Sequence, residues 1–532
     1  MYIAAHGRFR EQRQKMTDET ISRKSPADAM PSKRAAGISM HITSLPGRYG
    51  IGEIGDEARA FVDTMRRMGL TVWQLLPLGP TGYGDSPYQP LSSFAGNEML
   101  IDFATFIRVG LITSSEADGL LNLPADTVDY GAVIPGKRAL LQRATGRFGV
   151  HADATIKGEF DRYLDDNDEL WLHDYALFRV LKTRHGERAW IDWPAEYADR
   201  EPAALRKTEA EFASEIESIK ILQFLLHRQW QRLRRHAEEH GIALLGDMPI
   251  YVALDSADAW SNREIVMLDD DGRPSRVAGV PPDYFSEDGQ LWGTPVYDWD
   301  YHADSGYRWW IDRVRKAVEQ FDLVRIDHFR GFESYWSVPA DATTAREGEW
   351  VEGPGDAIFS ALGAALGKLP IVAEDLGVIT DQVDALRARH DIPGMKVLQF
   401  EIDRDDFDPA DISRDTVCYT ATHDNDTTLG WFAGSEDDAR SPQAVRESRR
   451  KALKITDGTP GSIHNDMIRL AFSTDAQLAI APLQDYLGLG SEARMNVPGR
   501  PDGNWRWRVL PEQLTASFCD AVAELVDTAN RV

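Results

Sequence analysis

Cysteine and long apolar runs are nearly absent from this sequence. Only two of its 532 residues are cysteines, Cys418 and Cys519, so a disulfide framework and a metal site built on a CxxC motif are excluded. Two buried thiols suit a reducing compartment. No apolar stretch reaches the roughly 18 residues that a membrane-spanning helix requires. The sequence therefore predicts a cytoplasmic globular protein.

An excess of positive charge is also missing. The 59 lysines and arginines face 85 aspartates and glutamates, which gives a formal net charge of -26. A surface of this sign repels polyanions and anionic membranes, so neither nucleic acid nor a membrane is an expected partner. A neutral ligand such as a sugar is not repelled.

The first 36 residues lack the apolar segment of a secretory signal. Acidic residues among them also fit an organellar transit peptide poorly. We expect a disordered tail over residues 1–36, or translation that starts at Met16, followed by a catalytic unit over residues 37–527.

Short apolar runs alternate with longer amphipathic ones beyond this tail, a pattern typical of repeated βα units. The fold class we predict is α/β, a (β/α)₈ barrel, because eight runs qualify as buried strands. These candidates are Ile38–Thr43, Val72–Pro77, Ile242–Met248, Leu323–His328, Ile371–Glu374, Lys396–Phe400, Val417–Thr422 and Gln477–Ala481.

Two intervals are too long for simple connections. Residues 100–240 are rich in helix-forming residues with helical spacing, which predicts a mainly helical insertion. Residues 250–300 are rich in proline, glycine and aromatics, which predicts a loop insertion that covers a substrate.

Polar residues end several of the candidate strands, where a βα barrel places its active site. In VRIDHFRG, Arg325 and Asp327 lie on one face of a strand, and a guanidinium keeps a neighbouring carboxylate ionised. A nucleophile needs that state, although a salt bridge inside the barrel would explain the pair equally well. Glu374 leaves an apolar strand beside Asp375 and suits a general acid. The alternative is an acid that stabilises a helix N-terminus.

The segment THDND places His423, Asp424 and Asp426 in one turn. Turn chemistry alone could explain these acids, and a metal site is a further alternative. Together, however, acids at the ends of three strands match glycoside chemistry, which needs two carboxyl groups beside the scissile bond. Aromatic residues in the loops could stack on sugar rings; these are Tyr88, Tyr251, Phe285, Trp292, Tyr297 and Trp299.

Many segments resemble the amylomaltase family of 4-α-glucanotransferases, in order over residues 38–510. They are HITSLPG (41–47), GYGDSPYQ (82–89), FAGN (94–97), GDMPIYV (246–252), VAGVPPDYFSEDGQLWG (277–293), VRIDHFRG, VAEDLG, GMKVLQF (394–400), THDN (422–425), RMNVPG and NWRWR. The resemblance implies a barrel enzyme that transfers segments of 1,4-α-glucans with retention. Donor and acceptor glucans are the implied partners. The enzyme itself is expected to be a monomer or a homodimer.

The resemblance also implies a role for individual residues. Asp327 would be the nucleophile, Glu374 the general acid and base, and Asp424 the stabiliser of the transition state. Neither a metal nor an organic cofactor is implied. The residues implied in substrate binding are Arg325, His328, His423, Tyr88, Asp247, Asn496, and Phe285, Gln290 and Trp292 in a loop over the donor chain.

Three alternatives stay open at this point. An α-glucan hydrolase could use the same three acids with water as the acceptor. A decayed scaffold could bind glycans without catalysis, and a metal-dependent hydrolase could recruit His41, His328 and His423.

Overall fold

The chain folds around a set of short parallel strands whose side chains are almost all buried, with a few further strands outside this set. The computed structural model describes residues 30–282, 287–435, 438, 440–500 and 502–531, and the predicted tail therefore lies outside it up to residue 29. The described strands, numbered in chain order, are β1 Ala35–Ser39, β2 Val72–Gln74, β3 Ala243–Met248, β4 Arg276–Val280, β5 Gln290–Pro295, β6 Leu323–Ile326, β7 Ser334–Pro339, β8 Glu349–Glu352, β9 Ile371–Ala373, β10 Gly394–Val397, β11 Thr416–Tyr419 and β12 Leu478–Pro482.

Eight of these strands form one parallel sheet in the order β10-β11-β12-β1-β2-β3-β6-β9. The two ends of the sheet meet where the Ala373 amide donates to the Pro393 carbonyl at 2.8 Å. Strands buried on both faces can be apolar along their whole length, which is why the sequence showed them as short apolar runs. The predicted (β/α)₈ fold class is confirmed.

Helices cover the outside of this barrel. The helix Asp56–Arg67 buries Phe61, Val62 and Met65, and it has acidic residues in its first turn and arginines in its last, as the helix dipole favours. The other helices outside the insertion between β2 and β3 are Ala257–Ser261, Trp299–Asp304, Arg308–Gln320, Asp356–Leu366, Asp381–Arg389, Leu398–Glu401, Thr428–Ala433, Pro442–Thr456, Ile463–Ser473, Leu483–Leu487 and Ala516–Thr528.

The interval between β2 and β3 is mainly helical. Asp129 and Asp153 accept backbone N–H groups at the starts of two of its helices. The Gln223 amide pairs with the backbone of Gly96, which holds the longest helix against the residues after β2. The helices are Phe103–Arg108, Ser114–Ala117, Tyr130–His151, Ala154–Asn167, His173–Arg184, Ala195–Ala198, Pro202–Glu211 and Ala213–Glu239.

A second, antiparallel sheet has the strand order β5-β4-β7-β8. Strands β4 and β5 lie in the interval that we predicted as a loop, and the sequence analysis did not predict them. Gly279, Gly293 and Pro295 interrupt the alternation of their side chains, and β4 pairs with β7 some sixty residues later in the chain. This sheet carries Gln290 and Trp292.

Arg531, the last described residue, is tied to the beginning of β1 and to the segment before β12. The buried Arg531 guanidinium donates to the carbonyls of Ala35, Thr474 and Ala476 at 2.9–3.0 Å. The folded unit therefore extends beyond residues 37–527 on both sides. In the part of the chain that the structure describes, no helix combines the length and apolar character needed to cross a membrane.

Candidate active site

The polar residues of the barrel meet at the carboxyl ends of its strands. Asp247 and Arg325 lie in β3 and β6, whereas Asp327 and Glu374 follow β6 and β9 directly. The Asp327 amide still donates to the Met248 carbonyl and the Glu374 amide to that of Ile326, both at 3.0 Å. The predicted strands were thus slightly too long, but both acids keep the positions that the barrel imposes.

Arg325 is the electrostatic centre of this cluster. Its Nη1 lies 2.8 and 2.7 Å from the two oxygens of Asp247, and its Nη2 lies 2.9 Å from Oδ1 of Asp327. Burial lowers the pKa of a guanidinium, but here the two carboxylates outweigh it and raise the pKa of Arg325 well above its usual value. A fixed positive charge therefore holds one oxygen of Asp327, and the other oxygen has no hydrogen-bond partner among the described residues.

Glu374 has the opposite electrostatic environment. Burial and the nearby Asp327 charge raise its pKa to about 7, against the opposing effect of Arg325. Its two oxygens accept the N–H groups of His328 at 2.7 Å and Leu376 at 2.8 Å, which fixes the carboxyl group. The acid that raises its pKa is thus Asp327, and not the adjacent Asp375 that sequence reasoning considered.

Asp375 instead belongs to the wall of the barrel. Its oxygens contact the Arg387 Nε at 3.1 Å and accept the Met395 N–H at 2.7 Å. The two neighbouring acids therefore point in different directions and have different environments.

His328 reaches Glu374 through an unusual backbone conformation. Its φ of 51° and ψ of 48° are left-handed, an uncommon region for residues other than glycine. Its ring stands edge-on to Trp292 at 4.8 Å between centroids. Burial lowers the pKa of His328 to about 4, so the ring is neutral at neutral pH. Its Nε2 has no hydrogen-bond partner among the described residues.

Asp424 faces the cleft with half of its side chain exposed. Its carboxylate lies 3.4 Å from Nε2 of His423 and accepts a hydrogen bond from Nδ2 of Asn496 at 2.6 Å. Burial within the site opposes ionisation of this carboxyl group. His423 and Asn496 outweigh that effect and lower the pKa of Asp424 below its usual range. The turn chemistry considered as an alternative falls on Asn425, which accepts the Thr422 N–H at 3.0 Å.

Tyr88 connects the two halves of the cluster. Its hydroxyl donates to Asp247 at 2.8 Å and lies 3.2 Å from Nδ1 of His423. The two rings are stacked with centroids 4.7 Å apart. The Tyr88 hydroxyl therefore links His423 to the Arg325 cluster through two polar contacts.

The aromatic residues of the loops divide into surface and core. Trp292 is partly exposed, and its Nε1 donates to the Gln290 side chain at 3.1 Å. Tyr297 was a candidate sugar platform, but it is only 1% exposed and donates to the Ile250 carbonyl, so it is a core residue. Phe285 lies outside the described residues.

Among the residues that the structure describes, no group of three potential metal ligands lies at this site. His41, His328 and His423, all described, do not bring three ligand atoms within 4.8 Å of one another. In the described part of the chain one such group exists, and it consists of Asp63, His236 and His240 on two outer helices.

Comparison with known proteins identifies the family of this chain. A family model described as 4-alpha-glucanotransferase, glycoside hydrolase family 77, matches residues 40–514. The chain belongs to the 4-alpha-glucanotransferase family. This membership confirms the resemblance found in the sequence, and it does not favour a hydrolase that uses the same acids.

Relatives in the 4-alpha-glucanotransferase family match nearly the whole chain. The 4-alpha-glucanotransferase of Thermus thermophilus is 45% identical over 508 residues, 94% of this chain and 100% of that protein. That of Synechocystis is 47% identical over 492 residues, 91% and 95%. The amylomaltase of Streptococcus agalactiae, solved in complex with acarbose, has a TM-score of 0.88 and 36% identity, and the match covers 94% of this chain and 100% of that one.

Two residues of this 4-alpha-glucanotransferase site were not singled out from the sequence. Arg494 donates to the carbonyls of Asp424 and Asn496, both at 2.7 Å, and so holds their loops together. The Trp505 ring packs at 5.9 Å from Tyr88 and 5.8 Å from His423. Both lie in segments that carry the resemblance, RMNVPG and NWRWR, but local sequence gives no sign of contacts made across the barrel.

Proposed function

We propose that this chain transfers a segment of a 1,4-α-glucan to the 4-hydroxyl of an acceptor glucose or glucan, through two displacements that retain the configuration. The observation that carries this proposal is the presence of three carboxyl groups in three different environments. Asp327 is paired with Arg325, Glu374 has a pKa of about 7, and Asp424 is held as an anion. Such a division of roles between acids is what glycoside transfer requires.

In the first step, the free oxygen of Asp327 attacks C1 of the donor sugar. The bond between C1 and the glycosidic oxygen breaks, and the proton of Glu374 moves to that oxygen, so the leaving glucan departs with a hydroxyl group. Arg325 holds the nucleophile in position through its bond to Oδ1. Asp424 stabilises the positive charge that develops on the sugar ring.

In the second step, Glu374 acts as a base. The Asp327 carboxylate has lost its charge in the covalent intermediate, and with it one of the causes that raise the pKa of Glu374. The carboxylate of Glu374 takes the proton of the acceptor hydroxyl, whose oxygen attacks C1 and releases Asp327. The same change of charge thus converts Glu374 from acid to base.

The surrounding side chains are proposed to hold the sugars. Tyr88 and Asp247 fix Arg325 and His423 at the reacting ring, and Asn496 orients Asp424. Trp292, with Gln290 beside it, offers a partly exposed indole next to His328 for a neighbouring sugar. The proposed binding residues are therefore Arg325, His328, His423, Tyr88, Asp247, Asn496, Gln290, Trp292 and Phe285.

Incubation with maltotriose alone tests this function. We expect glucose together with a ladder of longer malto-oligosaccharides, and little increase in reducing ends, because each bond broken is replaced by a new one. Chromatography of the products over time measures both. Glucose and maltose without longer products, and a steady rise in reducing ends, would assign the reaction to water as the acceptor.

The pH dependence of the first step follows from Glu374. Its protonated form is the acid, so kcat/KM for malto-oligosaccharides should fall about tenfold per pH unit above its pKa of about 7. With a maltosyl fluoride donor, whose leaving group needs no proton, this alkaline limb should disappear. An alkaline limb that is unchanged with the fluoride would assign it to another group.

We further propose that the enzyme acts in the cytoplasm as a monomer or homodimer. Both cysteines are buried free thiols, which is the state expected in a reducing compartment. Residues 37–527 form the core of the catalytic unit, with its helical insertion at 100–240 and its substrate-covering insertion at 250–300.

A further inference from the structure

Two histidines and an aspartate converge on the outer surface of the barrel. His236 and His240 are one turn apart at the C-terminal end of the helix Ala213–Glu239, and Asp63 lies on the neighbouring helix Asp56–Arg67. The Nε2 atoms of His236 and His240 lie 2.8 and 3.3 Å from the same oxygen, Oδ1 of Asp63. One carboxylate oxygen therefore faces two imidazole nitrogens.

The hydrogen bonds of His240 fix which of its nitrogens carries a proton. Its Nδ1 lies 2.8 Å from the backbone carbonyl of His236. A carbonyl only accepts, so Nδ1 must be the donor, and a neutral ring then has a lone pair on Nε2. That lone pair points at the Asp63 oxygen. The carboxylate and this lone pair, 3.3 Å apart, repel each other unless a proton on Nε2 or a metal cation lies between them.

This arrangement has the features of a metal site. A backbone carbonyl that accepts a hydrogen bond from the second nitrogen of a histidine is one of the usual means of orienting a metal-binding imidazole. Bonds of about 2.0–2.1 Å in a tetrahedral site separate two ligand atoms by about 3.3 Å. The spacing of His240 from Asp63 is 3.3 Å, and that of His236 is shorter, at 2.8 Å. The carboxylate is 57% and each imidazole 22% exposed, so an ion can enter from solvent.

We propose that Asp63, His236 and His240 bind a divalent first-row transition metal such as Zn²⁺, with water at the remaining position. Two imidazole nitrogens and one carboxylate oxygen are ligands that such metals prefer. The negative end of the helix dipole also favours a cation near His240.

The proposed metal site joins two helices and lies away from the catalytic carboxylates. The two helices precede β2 and β3 in the chain, so the site lies near the N-terminal ends of these strands. Active sites of this fold lie at the C-terminal ends of the strands. The bound ion stabilises the barrel and takes no part in glucan transfer. If the metal site were disproved, the proposed function would be unaffected. If the proposed function were disproved, the metal site would likewise be unaffected.

Zinc binding to the full chain tests the proposal. After removal of metal with a chelator, Zn²⁺ is titrated calorimetrically into the wild type, the double variant His236→Asn/His240→Asn and the control His151→Asn, which changes an exposed histidine elsewhere. We expect one tight site per chain in the wild type and the control. In the double variant the affinity should fall by at least about tenfold.

A second readout guards against misfolding of the variant. Saturating Zn²⁺ should raise the unfolding temperature of the wild type, on the order of 2 °C for a chain of this length, and leave that of the double variant unchanged. Should that variant not fold, Asp63→Asn, which replaces one exposed carboxylate, takes its place. Absence of micromolar binding by the wild type, or equal binding by the variants, would overturn the proposal.

Discussion

Replacement of Asp327 by asparagine should reduce glucan transfer by about 10⁴-fold or more, because an amide cannot form the covalent intermediate. The fold should be preserved, since the side chain is near-isosteric and is 30% exposed in the cleft. Initial rates with maltotriose measure the loss, and the unfolding temperature checks the fold. The matched control is Asp304→Asn, which makes the same change of charge at an exposed helix end.

A smaller side chain at the same position makes the test more specific. In Asp327→Gly, azide can occupy the place of the missing carboxylate and attack a maltosyl fluoride directly. The product should be a β-glycosyl azide, inverted relative to the α-donor, because only one displacement has taken place. Substantial residual transfer by the asparagine variant, or an α-azide from the glycine variant, would remove Asp327 from the role of nucleophile.

Replacement of Glu374 by glutamine should reduce transfer between malto-oligosaccharides by about 10²–10⁴-fold, the usual contribution of a general acid and base. Release of fluoride from maltosyl fluoride in a single turnover should be affected far less, because fluoride leaves without a proton. The variant should then stop at the covalent intermediate, which lacks a base to activate the acceptor. Stopped-flow detection of fluoride measures this step.

Two further observations separate this role from a merely structural one. Azide needs no base, so it should release the intermediate of the Glu374→Gln variant as an α-glycosyl azide, with retention. The control Glu524→Gln changes an exposed glutamate on the last helix and should behave as the wild type. Equal losses with both donors would argue against the acid role of Glu374.

The barrel and its catalytic end were accessible to sequence reasoning for a physical reason. A strand buried on both faces is mostly apolar, so a charged residue at its end stands out, as Asp327 and Glu374 do after β6 and β9. The alternation of side chains in β6 also predicted the contact between Arg325 and Asp327. Sequence reasoning placed most of the strand ends too late in the chain. The polar residues after these strands continue their backbone hydrogen bonds but do not belong to the strands.

Features that depend on distant parts of the chain were not visible in this way. The β4–β7 pairing joins segments about sixty residues apart, and glycines and prolines hide its pattern. The contacts of Arg494 and Trp505 with the site cross the barrel. The pKa of Glu374 is raised by burial and then by Asp327, which is 47 positions earlier in the chain, and not by its neighbour Asp375.

Trapping of the covalent intermediate tests the central claim most directly. The Glu374→Gln variant, mixed with maltosyl fluoride and quenched in acid, is digested and analysed by mass spectrometry. The account predicts one additional maltosyl group on the peptide that contains Asp327, absent when Asp327 is also replaced by asparagine. No modified peptide under conditions in which fluoride is released, or a maltosyl group on a different carboxylate, would contradict it.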